Sequence, residues 1–116
     1  MKNEGQLYGL IGHPLSHSFS AAYFKNKFEK AKLPHAYLNF DQDPIPDLSL
    51  LIEKHPNLRG LNVTIPYKEA ILNQLHEIEP EAGIIGAVNV ISIKDGRTKG
   101  YNTDTEAFFK SLKPTS

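Results

Sequence analysis

Apolar and polar residues follow one another along this chain in two rhythms, one typical of strands and the other typical of helices. Short apolar or alternating runs that are closed by Gly, Pro or His-Pro predict strands. Apolar residues that recur every three or four positions behind a Ser, Asp or Pro predict helices. Strands are predicted over residues 7–12, 35–40 and 60–65, and helices over about 20–32, 48–54 and 67–78.

The last part of the chain predicts a hairpin. Asp95-Gly96 is a strong turn signal, because both residues tolerate the positive φ that a two-residue turn needs. The flanking elements are a strand over about 87–93, a return strand over 97–101, and a short helix that begins at Thr103 or Asp104 and turns Phe108 and Leu112 inward. The order β-α-β-α-β-α-β-β-α predicts an α/β fold with three α-β-α layers. Its sheet should be mostly parallel, with about six strands and one antiparallel member.

The segment GLNVTIPYK, residues 60–68, delivers polar side chains to the end of a predicted strand. In open α/β sheets, ligands bind outside the carboxyl ends of the strands. Asn62, Thr64 and Lys68 are therefore the first candidates for ligand contacts. A plain turn explains the same residues, with Asn62 and Thr64 bonding local backbone and Lys68 solvated.

Length and charge bound the function. The chain has 116 residues, enough for one domain, and its 13 basic and 13 acidic residues give a formal net charge of +0. No overall charge draws it to nucleic acid or to anionic membranes. It has 0 Cys, so disulfides and thiolate chemistry are excluded. The first residues lack a long apolar run, so neither secretion nor a membrane span is indicated, and a cytoplasmic enzyme domain is expected.

Two further groups of polar residues suggest chemistry. Ser18 and Ser20 lie at a predicted helix start, where hydroxyl and backbone N–H groups suit a carboxylate or phosphate, although simple N-capping explains them as well. The neighbouring His13 and His17 have no partner at ligand spacing, so no metal site is predicted.

Lys68 and Asp104 form a candidate acid-base pair. A carboxylate can orient a lysine ammonium as a proton donor, and such a pair could protonate the alkoxide that forms when hydride reaches a ketone. A surface ion pair is the alternative. Asn89 lies inside a predicted strand, where asparagine is depleted, so we expect it to have a polar partner or a ligand.

Four motifs, taken together, resemble a known family. They are GHPLSHSFS at 12–20, GLNVTIPYK at 60–68, AGIIGAVNV at 82–90 and GYNTD at 100–104. In this order and spacing they resemble the N-terminal substrate-binding (catalytic) domain of the shikimate dehydrogenase family, over about residues 7–112. The chain departs from the family pattern at His13, Ala21, Val90 and Thr105, where Asn, Pro, Thr and Gly are usual. The Val90 departure leaves the fine substrate preference open.

The resemblance implies a role for each polar candidate. Lys68 and Asp104 would be the catalytic pair, the two serines would hold the substrate carboxylate, and the amides and threonine would bond ring hydroxyls. The implied substrate-binding residues are Ser18, Ser20, Asn62, Thr64, Lys68, Asn89, Asn102 and Asp104. The implied partner is a small molecule, shikimate or 3-dehydroshikimate, rather than nucleic acid or a membrane; a possible homodimer is left open.

Family members continue into a second, Rossmann domain that binds NADP, and this chain shows no G-x-G-x-x-G fingerprint. We therefore expect residues 1–116 to be one domain of a longer NADP-dependent enzyme that reduces 3-dehydroshikimate to shikimate in chorismate and aromatic amino-acid biosynthesis, with no metal. Alone, the domain should bind substrate weakly and turn over negligibly. The alternatives are a quinate/shikimate dehydrogenase, with NAD in place of NADP left open, and a non-catalytic, stand-alone ligand-binding module.

Overall fold

The structure is a computed structural model that describes residues 5–15 and 20–104. Its helical elements are α1 (Ser20–Lys30), α2 (Leu48–Lys54), a short 3₁₀ helix (Ala70–Gln74) and α3 (Pro80–Ile85). Its strands are β1 (Leu7–Gly12), β2 (Ala36–Asp41), β3 (Leu58–Val63), β4 (Glu77–Ile78), β5 (Val90–Lys94) and β6 (Arg97–Tyr101). No helix within these described ranges is long and apolar enough to cross a membrane.

The six strands form one sheet in the order β2-β1-β3-β5-β6-β4. β1 pairs in parallel with β2 and β3, and β4 pairs in parallel with β6, whereas β5 runs antiparallel to both β3 and β6. The predicted mostly parallel sheet with one antiparallel member is thus confirmed. The turn between β5 and β6 is the predicted one, with Asp95 and Gly96 at φ of 52° and 78°.

Apolar layers cover both faces of the sheet, as a three-layer fold requires. One face packs against α1 through an aromatic cluster, in which Phe24 stacks on Tyr37 with ring centroids 5.0 Å apart. The other face packs against α2 and the 3₁₀ helix, around Ile11, Leu61 and Ile71. β1 is buried at all six positions. This explains why its sequence reads as an unbroken apolar run instead of an alternating one.

The predicted helix over 67–78 is wrong. The structure has only the 3₁₀ helix there, followed by β4, because tertiary contacts compete with the local helical pattern. The His76 backbone N–H donates to the Thr98 hydroxyl of β6 at 3.0 Å, and the Glu79 N–H donates to the Gly100 carbonyl at 2.9 Å. These bonds draw the segment onto the sheet edge, where Ile78 is 36% exposed instead of facing the core.

The structure differs from the sequence-based expectations in two smaller ways, one at residues 80–85 and the other in the edge strand β2. Residues 80–85 form α3, which the sequence analysis did not predict, with Pro80 in its first turn and Gly86 at φ 81° closing it. In β2, Tyr37 and Phe40 are buried while Leu38 is 43% exposed, because β2 is an edge strand whose Tyr37 turns toward α1. The closing helix predicted beyond Asp104 lies outside the described residues.

Candidate functional site

The ends of four neighbouring strands meet at one edge of the sheet. The Thr64 N–H, just after β3, donates to the Ile11 carbonyl of β1 at 2.9 Å. The Val63 N–H donates to the Asn89 carbonyl at 2.8 Å, and the Asn89 N–H donates to the Tyr101 carbonyl at 2.9 Å. Because β5 is antiparallel, its beginning meets the carboxyl ends of β1, β3 and β6. This is the edge at which ligands bind in open α/β sheets.

The amides of Asn89 and Asn102 are built into this edge. Asn89 donates from Nδ2 to the Thr103 carbonyl at 2.9 Å and accepts from the Thr103 N–H at Oδ1 at 3.0 Å. Asn102 donates from Nδ2 to the Ala87 carbonyl at 3.1 Å. Both residues are half-buried. They therefore fix the chain on either side of Tyr101 and help to place the segment that ends at Asp104.

Lys68 and Asp104 are brought to the same edge through their main chains. The Lys68 carbonyl accepts a hydrogen bond from the Val88 N–H at 2.9 Å. Asp104 follows Thr103, whose backbone is held by the adjacent Asn89. Lys68 is half-buried and Asp104 is exposed. Lys68 is thus bonded to Val88, and Thr103, the residue before Asp104, is bonded to Asn89; Val88 and Asn89 are the two residues that lead into β5.

Thr64 lies where β3 meets the turn after β1. A Cβ added to Gly12 would clash with Thr64 Cγ2 and would lie 2.9 Å from Leu15 Cδ2, so a larger residue there would have to displace these side chains. Thr64 is half-buried.

Asn62 lies deeper than a rim residue. Its side chain is on the α1 face of β3 and is 6% exposed, and its Nδ2 donates to the Tyr37 hydroxyl. Its Oδ1 is buried and has no hydrogen-bond partner among residues 5–15 and 20–104. An unpaired buried acceptor costs about 1–3 kcal/mol. A hydrogen-bond donor from a ligand or a water molecule would remove this cost.

The structure describes the residues on either side of the segment 16–19, which contains Ser18, but not that segment itself. Ser20 is the first residue of α1, whereas Ser18 lies outside the described residues. The turn that leads into the segment is held at its base by Asp41, which the sequence analysis did not single out. Asp41 Oδ1 is 2.8 Å from His13 Nδ1, and Asp41 Oδ2 accepts from the Leu15 N–H at 3.1 Å. The bond from His13, and then that from Leu15, lowers the pKa of the Asp41 carboxyl.

Two observations limit other kinds of site. Among residues 5–15 and 20–104, no three His, Cys, Asp or Glu side chains gather closely enough to hold a metal ion. A cavity of about 560 Å³ lies at the opposite edge of the sheet and is lined by Asn57, Arg59 and Lys94 among others. It contains none of the predicted site residues, and its position at the amino ends of β1 and β3 argues against it as the main ligand site.

Fold and edge together define an α/β ligand-binding domain whose polar groups gather at the carboxyl ends of its parallel strands. A family model described as the shikimate dehydrogenase substrate binding domain matches residues 10–91. The chain therefore belongs to the shikimate dehydrogenase substrate-binding domain family.

Individual relatives agree with the family assignment. A shikimate dehydrogenase (NADP(+)) from Syntrophomonas wolfei is 44% identical over 110 residues, which cover 93% of this chain and 38% of that protein. A Thermus thermophilus shikimate 5-dehydrogenase solved with NADP(H) and shikimate superposes with a TM-score of 0.77 at 35% identity, covering 93% of this chain and 41% of that one. The chain spans roughly two fifths of these relatives' lengths.

One solved relative has a different name. The ligand-free 5-ketofructose reductase of Gluconobacter sp. strain CHM43 superposes with a TM-score of 0.80 at 29% identity, covering 99% of this chain and 42% of that one. The architecture is therefore shared by enzymes with different named substrates.

Proposed function

We propose that this chain is the substrate-binding part of an NADP-dependent shikimate dehydrogenase, which reversibly reduces 3-dehydroshikimate to shikimate. The observation that carries the proposal is the convergence of Thr64, Lys68, Asn89, Asn102 and Asp104 at one edge, in a chain of this family. A small polyhydroxylated ring with one carboxylate needs such a fan of amides and hydroxyls, together with an anion site. The reaction would belong to chorismate and aromatic amino-acid biosynthesis in the cytoplasm; a homodimer is compatible with it but is not required.

Lys68 and Asp104 would carry out the proton chemistry. NADPH, held by the part of the longer protein beyond this chain, would supply the hydride to the ketone carbon. The Lys68 ammonium would give its proton to the ketone oxygen as negative charge develops there, and solvent would then reprotonate the amine. Asp104 would orient the ammonium and accept a hydrogen bond from the neighbouring ring hydroxyl.

The remaining residues would bind the ring. Ser18 and Ser20 would donate their hydroxyl groups to the substrate carboxylate, near the start of α1. Thr64, Asn89 and Asn102 would bond the ring hydroxyls. The two hydrogen bonds between the Asn89 side chain and the Thr103 main chain support this role, because an amide that is already held in place loses little entropy when a ligand arrives.

A titration of the isotope-labelled 116-residue chain with shikimate, followed by amide NMR, tests the binding edge. We expect the largest shift changes at residues 64, 68, 89, 102 and 104, with Lys68→Ala and Asn89→Ala weakening binding about tenfold or more. Shift changes confined to the cavity around Arg59 and Lys94, or no shift changes at all, would contradict the proposal.

A second candidate function is the reduction of a neutral keto sugar, which the resemblance to the 5-ketofructose reductase favours. A neutral sugar has no carboxylate for the two serines to hold. Parallel titrations with shikimate, quinate and 5-ketofructose separate these substrates, and also test the quinate alternative. Preference for the neutral sugar would favour the second candidate.

A further inference from the structure

The two edge strands of the sheet differ in how well they are protected from pairing with another chain. β4 has only two residues, Glu77 and Ile78, and Pro80 follows closely. β2, the other edge strand, has six residues, and none from Ala36 to Phe40 is charged or a proline. Native proteins usually keep free edges short, or protect them with charges, prolines or bulges, because an open edge pairs readily with another strand. β2 lacks this protection.

The main chain of β2 turns every second residue toward the open side. The N–H groups of Ala36 and Gln42 donate to carbonyls just before and at the end of β1, at 3.0 Å and 3.4 Å. The pairing with β1 has no bulge, so the even-numbered residues of β2 bond to β1 and the odd-numbered residues point away from it. Asn39 is the middle residue of this outward row. In the described part of the chain, β1 is the only strand beside β2.

The side chains of β2 leave apolar surface at the same edge. Leu38 is 43% exposed, whereas Phe40, the next residue on its face, packs into the core beside α2. Asn39 lies on the opposite face and is exposed. A strand added beside β2 would therefore cover Leu38 as well as satisfy the outward main-chain groups.

A second copy of β2 fits this edge. A two-fold axis pairs a strand with itself in the antiparallel direction. If the axis passes through Asn39, the whole outward row is used, and the two Asn39 residues exchange N–H···O bonds. Leu38 of each copy then stands opposite Phe40 of the other, an aliphatic-aromatic pair of the kind that stabilises sheets. Over residues 36–42 this register sets no two charged residues opposite each other.

We propose that the open edge of β2 is a homodimer interface, at which β2 of a second copy pairs in the antiparallel direction about a two-fold axis through Asn39. The two sheets then form one continuous sheet. Because the pairing is antiparallel, the carboxyl ends of the parallel strands in the two copies lie at opposite sides of the combined sheet. The interface therefore leaves both candidate sites uncovered, and it does not depend on which substrate they bind.

The first test follows the 116-residue chain over a concentration series from about 1 μM to about 1 mM. Sedimentation equilibrium should show a monomer passing into a dimer, with no larger species. Amide hydrogen exchange should show protection of Asn39 that rises with concentration, while Leu38 and Phe40, which bond to β1, are protected throughout. A chain that stays monomeric to about 1 mM overturns the proposal. Asn39 protection that is independent of concentration also overturns it, because another part of the same chain would then cover the edge.

The second test uses the fact that Asn39 lies opposite itself. Asn39→Lys and Asn39→Glu should each raise the dimer dissociation constant about tenfold or more, because like charges then face each other across the axis. An equal mixture of the two variants should form a heterodimer about as tight as the wild-type dimer. Asn39→Ala should dimerise like the wild type.

Ile84→Lys is the matched control for added charge. Ile84 is 86% exposed in α3, at the β6 side of the sheet, so this variant should dimerise like the wild type. Thermal melts establish that each variant is folded, which is expected because the Asn39 side chain is exposed. Charged Asn39 variants that dimerise as tightly as the wild type, or a mixture that stays monomeric, would overturn the proposed pairing.

Discussion

At the scale of single residues, two buried polar side chains differ in how fully they are satisfied. Thr98 is 2% exposed, and its hydroxyl and backbone N–H are both bonded to His76 at 3.0 Å. In the part of the chain that the structure describes, the Asn62 side chain has one hydrogen bond, from Nδ2 to the Tyr37 hydroxyl, and its Oδ1 has none. A fully paired group stabilises the fold, whereas a half-paired one costs free energy until a donor arrives. Asn62 therefore has more to gain from a ligand than Thr98 has.

The contact between Asn62 and Tyr37 gives a direct stability prediction. Tyr37→Phe removes the hydroxyl to which the buried amide donates, so the free energy of unfolding should fall by about 1–3 kcal/mol. Urea denaturation measures the change. Tyr23→Phe is the control, because the Tyr23 side chain is 43% exposed and loss of its hydroxyl should change little. Equal stabilities for the two variants would show that the amide is satisfied in another way.

At the scale of elements, local signals worked where tertiary contacts agreed with them. Asp47, the residue directly before the predicted helix over 48–54, caps α2 by accepting from the Ser49 N–H at 2.9 Å, and Asp95-Gly96 closes the predicted hairpin. The helix over 67–78 failed because bonds to β6 overrode its apolar spacing.

Some features of the candidate site also follow from local sequence patterns, whereas others depend on contacts between distant parts of the chain. The positions of Thr64 and Asn102 at the carboxyl edge follow from the predicted strand ends, and the polar partner expected for Asn89 is the Thr103 main chain. The contacts of Tyr37 and Asp41 join residues 25 to 28 positions apart. No local pattern reports such contacts, although an aspartate that closes a strand at the ligand edge was an available signal.

His35, just before β2, is hydrogen-bonded to Gln6, just before β1. Its titration should change the free energy of unfolding with pH. His35 Nδ1 accepts from the Gln6 N–H at 3.0 Å, and its ring packs edge-on against Tyr8 and Phe28. Burial, and then the positive charge of Arg59, lowers the pKa of His35 from its ordinary value of 6.5. As the pH falls, the unfolded chain therefore takes up this proton before the folded chain does.

Stability from His35 should accordingly be complete above about pH 6.5 and should decline as the pH falls through the lower, folded pKa. Urea unfolding at a series of pH values measures this decline. In His35→Gln the acid-side loss of stability should be smaller than in the wild type. An identical pH dependence in the two proteins would assign the loss to other groups.

At the scale of the whole molecule, the chain belongs to a substrate-binding domain family but spans only 38% of the Syntrophomonas wolfei relative. Its sequence lacks the glycine-rich turn that binds a dinucleotide. Substrate binding and cofactor binding should therefore separate in experiments on this chain.

Shikimate should shift amide signals at the carboxyl edge of the sheet, whereas NADP⁺ at the same concentration should shift none of them. The chain should show no measurable reduction of 3-dehydroshikimate with NADPH. Saturable NADP⁺ binding, or turnover that Lys68→Ala abolishes, would show that these residues hold the cofactor themselves.

The reversed direction of β5 has a practical consequence. Since its first residues adjoin the carboxyl ends of β3 and β6, its last residues and the Asp95-Gly96 bend emerge at the opposite edge, away from the proposed substrate site. A fluorophore or surface tether attached at that bend would report on the domain, or immobilise it, with the binding side left open to solution.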